Sequence, residues 1–131
     1  MNLHRQLSLA LLTLGVSSFL AYLVVFFSYQ SSRLNHPDPS VGRVFPSINH
    51  GPPVYLTAVE TTGLALLVIV SMLGFVLRAT VVRKDYRRYL PSSTGDYLAV
   101  IAVAAAYLLL AKFAGPDIAA FAVAHGLVIS W

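Results

Sequence analysis

Hydrophobic residues run along this chain in long uninterrupted blocks, with neither the two-residue alternation of a half-buried strand nor a clean amphipathic helical stripe. Leu7–Tyr29, Ala58–Val82 and Tyr97–Ala114 are each about long enough to cross a bilayer as a helix, since a hydrocarbon core of roughly 30 Å takes about 20 apolar residues. A fourth apolar block, Ile118–Trp131, follows Gly115-Pro116-Asp117. Glycine after a helix and proline in the first turn of the next form a stop-and-restart signal. The pattern therefore predicts an all-α integral membrane protein. Its helices are expected at about residues 7–29, 58–82 and 96–114, with a short fourth, spanning or re-entrant, at 117–131.

The intervening segments are legible too. Residues 30–57 hold five of the seven prolines, which excludes a helix interior, and the sequence predicts an ordered extramembrane cap there. Arg43-Val44-Phe45 and Val54-Tyr55-Leu56 read as short strands around Asn49-His50-Gly51, with Gly51 supplying a positive φ. Thr57-Ala58-Val59-Glu60 matches a capping box at the start of the second helix. Asp96 is expected to cap the third. Arg78 is expected to reach toward headgroups, and Tyr22, Phe26, Phe27 and Tyr29 to sit at an interface.

Composition adds orientation. With 57% hydrophobic and 11% charged residues, a water-soluble surface could not be assembled. The 131 residues leave room for one transmembrane domain. Arg83, Lys84, Arg87 and Arg88, opposed only by Asp85, make the 83–95 connection a basic loop, read as cytoplasmic and in contact with anionic headgroups. The expected topology is multi-pass in a bacterial inner (cytoplasmic) membrane. The N-terminus is cytoplasmic and 30–57 periplasmic. The first apolar run is longer than a signal-peptide core and has no small-x-small site after it, so it is expected to stay as a helix.

Chemistry is harder to find. Cysteine is absent, which removes thiolate ligands and thiol catalysis. No pair among His4, His36, His50 and His125 has a one-turn helical spacing, so no metal site is expected, although His36, His50 and Asp38 could converge through the loop. His125, inside the last apolar block, is the candidate intramembrane polar site. No serine motif with a base appears, and no carboxylate falls mid-run. Thr13, Ser17, Ser18 and Ser71 form a faint polar stripe. Small residues at i, i+4 spacing (Ala102 with Ala106, Ala120 with Ala124, Ala122 with Gly126) mark candidate helix-packing faces, internal or with another protein.

The stretch Gly42-Arg43-Val44-Phe45-Pro46-Ser47-Ile48-Asn49-His50-Gly51, followed by Val54-Tyr55-Leu56-Thr57, is similar to a segment of small bacterial membrane proteins of unassigned activity. There it precedes a hydrophobic helix. The resemblance implies that the outer segment is a defined structural piece, with Arg43, Asn49 and His50 as contact residues. Pro52-Pro53 departs from the pattern and puts a regular hairpin in doubt. Phe45 and Tyr55 complete the expected partner-contact set.

The expected function is a non-enzymatic accessory or assembly subunit, packed against a larger membrane complex of a respiratory or photosynthetic kind. No cofactor or nucleic acid is involved, and lipid is the other contact. Alternatives are a homo-oligomeric channel or carrier, and a metal- or haem-binding membrane protein.

Overall fold

The computed structural model describes residues 3–48, 50–81 and 91–130. Expectations for Asn49, Arg83, Lys84, Asp85, Arg87, Arg88 and Trp131 lie outside them. Three helices dominate: α1 (Leu3–Ser32), α2 (Ala58–Val81) and α3 (Thr94–Ala124). Each is long and apolar enough to cross a membrane. In α2, Glu60 and Arg78 stand 18 positions apart, about 27 Å along the axis at 1.5 Å per residue. That is close to the hydrocarbon thickness of roughly 30 Å, so the charges of α2 bracket its apolar stretch.

The third helix departs from expectation. Instead of stopping at Gly115 and restarting, α3 runs through Pro116 to Ala124, and no separate fourth helix is present among the described residues. The energetics explain why. Proline inside a helix removes one hydrogen bond and costs about 3 kcal/mol. A break would orphan four N–H and four C=O groups, each costing several kcal/mol in lipid. Continuation is cheaper. The stop comes instead at Gly126, in the left-handed region at φ 86. There the Leu127 N–H donates to Ala122 O (2.9 Å) and the Gly126 N–H to Val123 O (3.0 Å), a Schellman closure. Residues 127–130 are non-helical and turn back along the bundle, where the Ile129 N–H donates to the Thr62 hydroxyl (3.2 Å).

Between α1 and α2 the chain folds into a 3-10 helix (Pro39–Val41) and two antiparallel strands, β1 (Phe45–Ser47) and β2 (Val54–Leu56). The register pairs Phe45 with Leu56 and Ser47 with Val54. The second strand lies where the sequence placed it; the first is shifted two residues onward. The pair forms despite Pro52-Pro53, because both prolines stay in the connection. His50, at φ 43, supplies the positive φ rather than Gly51.

The packed core is thin and mostly polar or small. Leu9, Leu56, Leu64, Ala65 and Ala119 are buried, together with Ser8, Thr13, Ser17, Ser18, Thr61, Thr62 and Ser71. The α1–α2 seam closes on glycine. A Cβ at Gly74 would lie 3.0 Å from the Gly15 Cα and 3.1 Å from Leu11 O, so the two backbones meet there and only glycine fits. Close backbone approach maximises dispersion, a main source of helix association in lipid.

Candidate functional site

The most organised polar cluster sits at the junction of α1, the strand pair and α2. The Thr57 box forms as its sequence predicts: the Glu60 N–H donates to Thr57 Oγ1 (3.2 Å) and the Thr57 N–H to Glu60 Oε2 (3.0 Å). Glu60 does more than cap. Arg33, just past the end of α1, donates through Nε (3.1 Å) and Nη2 (2.8 Å) to Glu60 Oε1. Arg43, ahead of β1, donates through Nη1 to Glu60 Oε2 (2.8 Å). One carboxylate, 13% exposed, thus holds two guanidiniums from two different segments. The Arg33 guanidinium also lies 4.8 Å from the Tyr29 ring centroid. Around this clamp, Asp38 and Arg43 exchange backbone hydrogen bonds (2.9 Å each), and the Tyr55 N–H donates to Leu34 O (3.1 Å). The Gln30 amide reaches the Ser47 hydroxyl at 3.1 Å. The outer segment is therefore tied to the helix ends at several points. A shallow groove of about 440 Å³ opens beside Gln30, Arg33, Leu34, Gly51 and Pro52.

The opposite end of the bundle carries a smaller counterpart. Ser93 is the N-cap of α3 and Asp96 the third helical residue of its capping box; Asp96 is not the cap itself. The Asp96 side chain is fully buried and pairs with Arg5 of α1. Its Oδ2 also accepts from the Ser92 N–H (3.0 Å), while Oδ1 is buried and accepts no hydrogen bond among the described residues. Arg78 does not extend outward as expected. It is buried, and its Nε donates to the Ser8 hydroxyl (3.3 Å). The sequence names both charges but not their partners, which lie about 70 to 90 positions away along the chain.

Between the ends, the polar stripe of α1 faces its neighbours. The Ser18 hydroxyl donates to Leu67 O (2.6 Å) and accepts from the Tyr107 hydroxyl (2.8 Å), joining all three helices. Ser71 donates to Gly15 O (2.9 Å) and Thr13 to Leu9 O (2.7 Å). These hydroxyls act as interhelical or local hydrogen-bond donors at buried positions.

The remaining sequence candidates fall in varied places. His125 is the C-cap of α3, exposed, with Nδ1 2.8 Å from Phe121 O and its ring 4.1 Å from the Phe121 ring. It terminates a helix instead of lying inside one. His36 and His50 are exposed, and no group of three or more His, Cys, Asp or Glu able to hold a metal occurs among the described residues. Of the expected contact residues, Arg43 is engaged inside the clamp, Phe45 and Tyr55 are half-buried and His50 is exposed. Ala102, Ala106, Ala120, Ala124 and Gly126 are exposed and Ala122 is half-buried. The side of α3 that meets α1 and α2 instead carries Ala104, Tyr107, Ala111 and Ala119, with Ala119 against Gly63. Lys112, which the sequence reading passed over, is exposed in the second half of α3 with Nζ 5.6 Å from the Phe113 ring centroid.

No protein-family model, curated protein or solved structure matches this chain.

Proposed function

We propose that this chain is a non-enzymatic accessory or assembly subunit that packs against a larger membrane protein complex. The observation that carries the reading is the outer segment. It is fixed to the bundle by the Arg33–Glu60–Arg43 clamp, yet Leu34, Val41, Val44 and Ile48 remain 46% to 72% exposed. These apolar side chains lie outside the spanning helices, where lipid tails do not cover them as they cover α1 or α2. A segment fixed to the bundle that leaves such apolar side chains exposed suits a protein-contact site. The polar groups of the bundle interior support the same reading: the Ser18, Ser71 and Tyr107 hydroxyls bond across helices, which suits a structural role.

In this account the complex is an inner-membrane assembly of a bacterium, of a respiratory or photosynthetic kind. The chain crosses three times, with its N-terminus cytoplasmic and residues 30–57 periplasmic. The end of α3 then joins the periplasmic side, since an odd number of spans separates the two ends. Ile48, Val44 and His50 become the leading contact residues, and Arg43 acts by holding the platform.

Affinity purification in mild detergent tests the reading. The unaltered chain is expected to bring down a stoichiometric larger membrane protein, and Ile48→Asp with Val44→Asp to lose it while the chain still inserts. Retention of the same partner by that double variant contradicts the assignment of the platform. Recovery of the unaltered chain without any larger protein contradicts the subunit role.

A further inference from the structure

Among the described residues nothing packs on the face of α3 turned away from α1 and α2, and its pattern of residues is specific. None of the most apolar stretch of α3 is buried, against 28% for the corresponding stretches of α1 and α2. Lipid covers apolar side chains at little cost, but α3 also carries Lys112 and Asp117, both exposed. Ionisable residues within spanning helices almost always face protein or a water-filled cavity. Pro116 adds a further polar demand: having no N–H, it leaves the Lys112 carbonyl without its usual helical donor.

Lys112 and Asp117 are five residues apart. At 100° per residue they flank a stripe formed by Ala102, Ala106, Leu109, Phe113, Pro116 and Ala120, all exposed. These six positions follow the alternating three- and four-residue spacing of the a and d sites of a heptad. Lys112 then occupies a g site and Asp117 the e site of the following heptad. In two parallel helices related by a two-fold axis, g of one helix faces e of the next heptad in its partner, the pairing that selects orientation and partner in coiled coils. The axial offset of five residues, about 7.5 Å, is within reach of a lysine stem and an aspartate. Copies of one chain inserted with one topology run parallel, as this pairing requires.

We propose that a second copy of this chain docks on the outward face of α3. The two copies form a symmetric parallel pair in which Lys112 of each meets Asp117 of the other. Ala102 and Ala106 allow the backbones to approach, and Leu109 and Phe113 fill the seam beyond them. Symmetry makes the charge pairing occur twice, and an antiparallel arrangement loses it. This inference is independent of the accessory reading, which concerns the outer segment; either can fail without the other.

The absence of cysteine gives a clean background for the test. Single-cysteine chains Ala106→Cys, on the stripe, and Leu73→Cys, exposed on α2, are oxidised in native membranes. A disulfide-linked pair is expected from Ala106→Cys and not from Leu73→Cys. Adding Lys112→Glu to Ala106→Cys is expected to lower the linked fraction about tenfold, the scale of two lost interhelical polar contacts. Further addition of Asp117→Lys is expected to restore it. No linked pair at Ala106→Cys, equal linking at Leu73→Cys, indifference to Lys112→Glu, or a reversed-charge chain that stays unlinked would each overturn the proposal.

Discussion

The α1–α2 pair and α3 solve the same problem, holding helices together in lipid, in different ways. Between α1 and α2 the backbones touch at Gly15 and Gly74, a serine hydroxyl crosses at each of two levels, and the Glu60 clamp draws together the far end of α1 and the start of α2. Among the described residues, α3 is held mainly by separated contacts: Asp96 on Arg5, Tyr107 on Ser18, and Ala119 beside Gly63. The first arrangement is continuous and intolerant of change; the second is a set of tacks along one side of a helix. The difference separates a structural core from a helix with a face to spare, and it sets the ranking of the following substitutions.

The largest effect is expected at the clamp. Glu60→Gln leaves Arg33 and Arg43 facing one another without a counter-charge. The pairs are part-buried, and hydrogen bonds to charged groups are worth about 1.5 to 3 kcal/mol each, so weakening three of them is expected to cost about 3 kcal/mol in all. Unfolding titration in mixed micelles should show that loss, with the outer segment becoming open to protease first. Gly74→Ala comes next. Its methyl group meets the Gly15 backbone at 3.0 Å, and overpacking of this kind costs about 2 kcal/mol. The same titration reads it. Gly115→Ala is the matching control in α3: a Cβ there meets nothing within 4 Å, so the change should fall within about 0.5 kcal/mol of zero or stabilise the helix slightly. A Gly115→Ala loss equal to that of Gly74→Ala would erase the proposed distinction.

Tyr107→Phe tests the tacks. It removes the hydroxyl that links α3 to Ser18 while leaving Ser18 bonded to Leu67 O. Interhelical hydrogen bonds in membranes average about 0.6 kcal/mol, so a small loss is expected, with increased hydrogen exchange confined to α3. A loss as large as that of Glu60→Gln would show α3 to be part of the core.

Much of the architecture is readable from local signals. Spanning helices announce themselves through run length, and the Thr57–Glu60 box through a three-residue spacing. The β2 strand reads through its branched and aromatic residues. What resisted reading depends on distance in sequence or on solvent. Gly15 and Gly74, 59 positions apart, are ordinary glycines within apolar runs until the chain between them is folded. The partners of Arg78 and Asp96 lie on α1. Gly115-Pro116 is a break signal in water, where exposed carbonyls find donors, and in lipid that same break is the costlier choice. Gly126, ten residues further, had the real stop, next to a histidine that drew attention as an intramembrane group. The small residues at Ala102 and Ala106 were visible, but not that they point away from the rest of the chain.

The measurement that tests the account most directly is native mass spectrometry of the unaltered chain extracted from its own membrane in mild detergent. The account predicts an assembly holding two copies of this chain together with at least one larger membrane protein. A species consisting of one copy with lipid alone would contradict it.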